Sequence, residues 1–419
     1  MNNWNRRQFL KSAVTTTGSI LAAPTIIPAS ALGRDGAVAP NERLVMGVIG
    51  LGGRGQYDLG IFMDNKDVQV VAVSDVFGDR RAAGKVQVDR KYSNKDCATY
   101  RDLRELLARP DIDAVLIATG DNWHSLASIL AARAGKDIYS EKPMSVAITE
   151  SRAVVETVRR FARVYQCGTQ RRSIFRFRFA MDLARSGKLG QLKTLYAEKA
   201  PMGEEYHERT LPPEPQPDRD VFDWDLWLGP AAWRPYNKQY PTRGFWSAHL
   251  DFSGGAINEW GSHTADLCQF ANDADATGPI EYEPWEGTVV AHYANGVKLI
   301  FEKGVWPLHV KFEGTKGWAY VDDDGNLETN PASLKAVRDF GKGYPAEDHV
   351  RNFLDCVKTR QQPISHAEVA HRSVSVCHIA NISRRLGRPV KWDPAKEEFI
   401  GDEQANRMRS RAQREPWQI

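Results

Sequence analysis

Between residues 44 and 169, short apolar runs rich in β-branched residues alternate with segments whose apolar positions recur every three to four residues. "LVMGVIG" (44–50), "VQVVAVSD" (68–75), "DAVLIATG" (113–120) and "KDIYS" (136–140) read as strands, the first three almost continuously apolar, as expected for strands buried on both faces. "YRDLRELLAR" (100–109) and "HSLASILAARAG" (124–135) carry the helical period, and Gly135 is a helix stop. A helix over 149–162 and a strand at "RVYQCG" (163–168) complete the unit near Thr169. Strands alternating with helices predict a doubly wound parallel sheet.

Past Gln170 the pattern changes. Residues 201–246 are rich in Pro, Trp, Tyr and charge and read as long loops. "GTVVAHYANGVKLIFEKG" (287–304) places an Asn-Gly turn between two alternating runs, a hairpin signal, and "HVKFEGTKGWAYVDD" (309–323) continues the β pattern. Helices are expected over 346–358 and 367–386. The prediction is an α/β fold in two parts: a Rossmann domain at 44–169 and an α/β domain with an open, mostly antiparallel sheet at 170–386. A C-terminal tail at 387–419 follows.

The N-terminal 31 residues stand outside this pattern. "NRRQFLK" (5–11) is a twin-arginine stretch, residues 12–27 are mostly apolar or small, and "ASA" (29–31) offers a cleavage site. The expectation is an export signal of the twin-arginine route, a linker at 32–43, and a periplasmic protein. Without Arg6, Arg7 and Lys11, basic residues fall from 56 to 53 and balance the 53 acidic ones, so no nucleic-acid surface is expected. No later apolar run is long enough to span a bilayer, so no membrane association is expected after cleavage. The 419 residues, 42% hydrophobic and 26% charged, fit a soluble globular chain of more than one domain. Cys97, Cys167, Cys268, Cys356 and Cys377 lack C-x-x-C spacing and are expected as buried free thiols.

Three stretches carry candidate chemistry. "GLGGRG" places Gly50, Gly52 and Gly55 in G-x-G-x-x-G order after a strand and before a helix, with Asp75 ending the next strand. The glycines admit a tight turn, the helix N-terminus receives a pyrophosphate, and Asp75 accepts from an adenosine ribose. That carboxylate favours NAD; NADP stays open because Arg80 and Arg81 are close by. "SEKP" (140–143) puts Lys142 at the carboxyl end of a strand, facing the ligand crevice. "INEWGSHTAD" (257–266) sets Glu259, His263 and Asp266 at i, i+4 and i+7, on one helical face.

That triplet has three readings: a solvated face, a metal site recruiting His249 and Asp251, or a proton-transfer site. No H-x-x-x-H or H-E-x-x-H spacing supports metal, and none is expected. For proton transfer, His263 is the acid/base, Glu259 or Asp266 orients its ring, and Lys142 stabilises a developing alkoxide. Trp224, Trp227, Trp233, Tyr236 and Trp246 either line a sugar site or pack a long loop. Arg171, Arg172, Arg176 and Arg178 read as a helix start or solvated face, or as a clamp for an acidic substrate.

On "GVIGLGGRG", "ATGDNWH" (118–124), "GKDIYSEKP", "GTQRRS" (168–173) and "GGAINEWGSHTAD" (254–266), the chain resembles the Gfo/Idh/MocA oxidoreductases. The resemblance implies a Rossmann domain, then an open-sheet domain that commonly forms the subunit interface, hence a homo-oligomer. It implies catalytic roles for Lys142, His263 and Glu259, with Glu259 standing where the family usually has Asp. Around the cofactor it implies Gly50, Gly52, Gly53, Arg54, Gly55, Asp75, Thr119, Asp121, Trp123, His124, Glu141, Lys142 and Gln170. Gly120 replaces the family's usual Pro. The function implied is oxidation of a secondary hydroxyl of a sugar, polyol or glycoside. Since free NAD is not expected outside the cytoplasm, an exported enzyme must keep and recycle its cofactor. The alternatives are an NAD-dependent glycosidase acting by oxidation and elimination, and a non-catalytic carbohydrate-binding protein on a dinucleotide fold.

Overall fold

The computed structural model describes residues 38–199, 208–304, 306–338 and 348–419. The twin-arginine stretch and the "ASA" site lie outside the described residues. Residues 38–43 belong to a unit separate from Leu44–Ile419.

The first half of Leu44–Ile419 runs β1 (Leu44–Ile49), α1 (Gly53–Met63), β2 (Val68–Ser74), α2 (Gly78–Tyr92), β3 (Ala98–Tyr100), α3 (Leu103–Leu107), β4 (Ala114–Ile117), α4 (Asp121–Arg133), β5 (Asp137–Ser140), α5 (Ile148–Arg160) and β6 (Tyr165–Cys167). The six strands pair in the order β3-β2-β1-β4-β5-β6, all parallel. The order reverses between β1 and β4, which opens a crevice at the strands' carboxyl ends. The strands read as continuous apolar runs because helices cover both faces: all four residues of β4 and of β5 are buried. Gly135, predicted as a stop, follows α4 with φ of +78°.

The second half runs α6 (Phe175–Arg185), β7 (Leu192–Lys199), α7 (Trp224–Leu228), α8 (Arg243–Trp246), α9 (Gly255–Ala271), β8 (Glu281–Trp285), β9 (Thr288–His292), β10 (Lys298–Lys303), β11 (His309–Gly314), β12 (Gly317–Asp322), β13 (Leu327–Asn330), α10 (His349–Thr359), α11 (Ala367–Leu386), β14 (Val390–Asp393), β15 (Glu398–Phe399) and α12 (Glu403–Arg407). Nine strands pair in the order β13-β12-β11-β7-β10-β9-β8-β14-β15. Only the β7–β10 pairing is parallel among them. The β9–β10 hairpin is present. Its turn is wider than a two-residue Asn-Gly turn, with Tyr293 bonding Val297 across it.

Two expectations are corrected. Residues 387–419 are not a tail: β14 pairs with β8 through Val390 and Tyr282, extending the sheet, and Val390, Trp392 and Phe399 join its core. Helix α10 belongs by packing to the first half, where Val350, Phe353 and Leu354 lie with Phe62, Tyr139 and Val164. The five cysteines are buried free thiols, as expected.

Helix α9 is buried along almost its whole length, between the sheet and α11. Close approach requires Gly261, where a Cβ would sit 2.7 Å from Cys377 Sγ. The chain therefore carries Glu259, His263 and Asp266 into the interior, and the solvated-face reading of that helix falls.

Candidate active site

The dinucleotide loop joins β1 to α1. Gly50 has φ of +89°, and a Cβ on Gly55 would lie 2.1 Å from Gly50 O, so neither position admits a side chain. At Gly53 a Cβ would meet nothing within 4 Å, so there is open space beside the start of α1, where a helix N-terminus favours an anion. Asp75 accepts from Leu51 N at 2.6 Å and Phe77 N at 2.9 Å, so it braces this loop with part of its hydrogen-bonding capacity. Its burial raises its pKa, against these donors and Arg80. The residues present fit an NAD pyrophosphate and ribose.

Arg54 links this loop to the Lys142 motif. Its Nη2 donates to Glu141 Oε1 at 3.0 Å and its Nε to Asp58 Oδ2 at 3.0 Å. With the Gln170 amide turned to donate to Gly168 O, its oxygen accepts from Arg54 Nη2 at 3.2 Å. Arg54, Glu141 and Gln170, far apart in sequence, are thus one network. Asp58 was not among the predicted residues, although it lies one helical turn from Arg54. Burial and the Glu141 charge raise the Asp58 carboxyl.

Lys142 leaves the end of β5 and reaches α9. Its Nζ donates to Glu259 O at 3.0 Å and to Glu259 Oε2 at 3.2 Å. Asp121, at the start of α4, meets the same carboxylate. Burial, then the charge and hydrogen bond of Glu259, hold the Asp121 carboxyl well above the usual range, so it is the protonated partner. Burial works to raise Glu259 too, but Lys142 and the hydrogen bond from Asp121 outweigh it and leave it ionised. One Asp121 oxygen, Oδ2, is buried without a partner. Asp121 was expected as a cofactor contact; its carboxyl instead belongs to the Lys142–Glu259 group.

His263 lies one helical turn beyond Glu259. Burial, then the charges of Arg171, Lys142 and Arg54, drive its pKa well down, so the ring is neutral. Its Nδ1 is buried with no hydrogen-bond partner. The expected orienting carboxylate is absent from the ring: Glu259 is taken by Lys142 and Asp121, and Asp266 by Arg172. Arg172 Nε and Nη2 grip Asp266 at 2.7 Å each, and Arg172 also reaches Asp275. With Arg172 fully buried and Arg171 buried against Asp323, neither arginine is a solvated face or an open clamp.

The loop at 118–124 is tied to the lysine loop by His124, whose Nδ1 meets Pro143 O at 2.7 Å and whose Nε2 meets Thr119 O at 3.2 Å. Trp123 was expected beside the cofactor. Its ring is committed elsewhere, donating from Nε1 to Leu226 O at 2.8 Å and packing edge-on to Trp417. Arg234 engages both His249 and Asp251, the residues a metal reading would have recruited.

The tryptophan-rich loop packs on itself. Trp224 stacks on Trp227 with centroids 5.0 Å apart, Trp224 and Tyr236 meet edge-on, and Trp246 lies against the same cluster. Trp233 is exposed. From this loop, residues 218–228 run as a strap along the Rossmann crevice. At one end Phe222 stacks on Phe77 at 4.0 Å, Gly78 N donates to Val221 O, and Arg81 Nη2 donates to Asp220 O. At the other, Asn122 Nδ2 and Trp123 Nε1 donate to Leu228 O and Leu226 O. The C-terminal segment holds the strap through Arg414 Nη1 and Asp225 Oδ1, 2.6 Å apart.

Residues 44–169 match a family described as "Oxidoreductase family, NAD-binding Rossmann fold" and residues 205–419 its "Oxidoreductase family, C-terminal alpha/beta domain". A "Glycosyl hydrolase family 109 protein" of Shewanella putrefaciens is 30% identical over 174 residues, which span 38% of this chain and 38% of that protein. A putative myo-inositol dehydrogenase from Sinorhizobium meliloti 1021 has the same fold, with a TM-score of 0.56 at 16% identity over 83% of this chain and 99% of that one. Aldose-aldose oxidoreductase from Caulobacter crescentus, complexed with glycerol, aligns with a TM-score of 0.60 at 16% identity over 83% and 99%.

Proposed function

Because the chain belongs to the Gfo/Idh/MocA oxidoreductase family, whose first domain binds NAD, we propose that it oxidises a secondary hydroxyl of a sugar, polyol or glycoside and retains its cofactor between turnovers. The observation that carries this reading is the grouping of Lys142, ion-paired with Glu259, and a neutral His263 whose Nδ1 has no hydrogen-bond partner. When bound, NAD supplies a reversible hydride acceptor. The Lys142 ammonium donates to the substrate hydroxyl oxygen and stabilises negative charge developing there. His263 accepts the hydroxyl proton, its free Nδ1 being the available site. Glu259 and Asp121 fix the lysine tip between them. The strap along the crevice supports cofactor retention. Gly50, Gly52, Gly53, Gly55 and Asp75 would hold the cofactor's pyrophosphate and ribose, and Arg54, Glu141 and Gln170 would lie at its nicotinamide end.

A second reading rests on the relatives named as family 109 glycosyl hydrolases. Oxidation at C3, two carbons from the anomeric carbon, acidifies the C2–H bond between them. Loss of that proton expels the aglycone, water adds to the resulting double bond, and the hydride returns to the carbonyl carbon. The cycle is redox-neutral and releases a free aglycone without net NADH.

Arg6 and Arg7 support export by the twin-arginine route to the periplasm. The open face of the nine-stranded sheet, with half-buried Tyr196, Ile300, Trp318 and Tyr320, supports homo-oligomerisation through that sheet.

The test is direct. Purified protein, denatured, should release nicotinamide cofactor, and native protein should change its bound-cofactor absorbance when offered the right saccharide. Protein that is empty and turns over only with added NAD overturns retention; absorbance indifferent to every saccharide overturns the substrate class.

A further inference from the structure

Trp260 immediately follows Glu259 on α9, and none of the roles above uses it. Its ring centroid lies 5.7 Å from Lys142 Nζ. The same ring meets Trp306, in the connection between β10 and β11, with centroids 5.8 Å apart and ring planes inclined by 57°. Trp260 is half-buried, its Nε1 buried without a hydrogen-bond partner, whereas Trp306 is 58% exposed. From Lys142 outward there is an ammonium, a half-buried indole, then an indole open to solvent.

We propose that Trp260 and Trp306 form an aromatic subsite beside Lys142 that stacks the group glycosidically linked to the sugar being oxidised. The proposal rests on the functional reading above and deepens it: the substrate is a glycoside, not a free monosaccharide or polyol. A pyranose offers hydroxyls at its rim and C–H bonds on its faces. The hydroxyl bound for oxidation meets the charged and hydrogen-bonding groups of Lys142 and Glu259. The next ring outward meets indole faces, which favour apolar C–H surface and other rings. A single exposed tryptophan is ordinary on a protein surface. Trp306 is set apart by leaning on a ring that itself touches the proposed hydroxyl-binding lysine. Within the 220–246 loop, Trp224, Trp227 and Tyr236 do not compete for this role, because they are spent on one another.

The experiment compares p-nitrophenyl with methyl glycosides of glucose, galactose and mannose, both anomers, on cofactor-loaded protein, read by bound-cofactor absorbance and by glycoside consumption. For whichever sugar is accepted, Trp306→Ala should raise KM for the aryl glycoside about three- to tenfold, leave the methyl glycoside within about twofold, and spare kcat, with Trp306→Phe restoring most of the loss. Trp306 is exposed, so the variant keeps the fold, and a thermal melt checks it. If KM for the two series is unchanged or moves in parallel, the subsite is wrong while the oxidoreductase reading stands. If neither series alters bound-cofactor absorbance although a free monosaccharide does, the glycoside preference is wrong. Silence from every sugar, free or linked, overturns the functional reading and this subsite with it.

Discussion

Lys142 Nζ donates to both the carboxylate and the main-chain oxygen of Glu259. One side chain thereby pins the loop after β5 to the helix that carries His263. The bond to the main chain depends on the lysine alone, whereas the bond to the carboxylate depends on side-chain length at position 259. Lys142→Ala should lower kcat/KM by about 10²–10⁴ while cofactor stays bound. Glu259→Asp keeps the charge, draws it back by one methylene, and should cost less than Glu259→Gln. Steady-state kinetics on an accepted saccharide check the order; a larger loss for Asp than for Gln would show that reach, not charge, is what matters at 259.

The proton between Asp121 and Glu259 sets a pH limit. Burial and the Glu259 charge hold the Asp121 carboxyl well above the usual carboxylate range, so it keeps its proton where an ordinary carboxylate has lost it. Two adjacent carboxylates would then compete for Lys142. Activity should therefore fall as pH rises through the raised Asp121 value. Asn at 121 keeps a donor to Glu259 and cannot ionise, so Asp121→Asn should retain activity and lose that fall with rising pH. A profile superimposable on the parent's would remove Asp121 from the mechanism.

What the sequence made legible follows from what is local. Strands β1, β2, β4 and β5 were readable because strands covered on both faces are apolar throughout, and the fingerprint glycines because backbone geometry excludes other residues there. Lys142 and His263 were readable from short motifs. Contacts between distant segments were not. Arg172 looked like one of four surface cations, yet its carboxylate partners stand 94 and 103 residues away. The amphipathic period of α10 marked a helix without saying that it packs on the first domain. Trp123 sat in a motif beside cofactor residues, but its partners, Leu226 and Trp417, come from the strap and the C-terminus.

Asp266 is structural, and its loss should register in stability. Arg172 and Asp266 are both almost wholly shielded, so removing one leaves the other charged and buried. Arg172→Ala or Asp266→Ala should cost about 3–5 kcal/mol. Arg172→Lys should recover only part, because an ammonium cannot make the two-pronged grip. Urea unfolding measures this; a cost below about 1 kcal/mol would contradict the burial of the pair.

Acid should destabilise the protein in two stages. Burial lowers His349 to about 4 and His378 to about 3. Unfolded histidines take up protons near pH 6.5, so the unfolded state binds more protons below that value and stability falls as pH drops from there towards 4. Glu368 is held at about 2, chiefly by the Arg152 hydrogen bond. Glu397 is held at about 2 by His371 and Arg152 against its burial. Their contribution is full above the unfolded value and is lost as pH falls through about 4 towards 2. Thermal melts across this range should show both declines, and Glu368→Gln should flatten the lower one.

The proposed retention of cofactor would rest on the strap. Phe222 stacks on Phe77, which follows Asp75 by two residues at the ribose end, while Leu226 and Leu228 are held at the start of α4. Both ends must let go before the crevice edge is free. Phe222→Ala removes the ring contact at one end, and Arg414→Ala removes the ion pair with Asp225 that ties the C-terminal segment to the strap. Each should speed cofactor loss about tenfold and the pair more, since a lost contact of about 1.4 kcal/mol is tenfold in rate. Turnover of the fraction still loaded should be unchanged, because neither residue touches Lys142 or His263. Rapid desalting followed by absorbance of released nucleotide measures the rate. If both variants hold cofactor as long as the parent, the strap is packing alone, and retention must come from the dinucleotide loop and the network around Arg54.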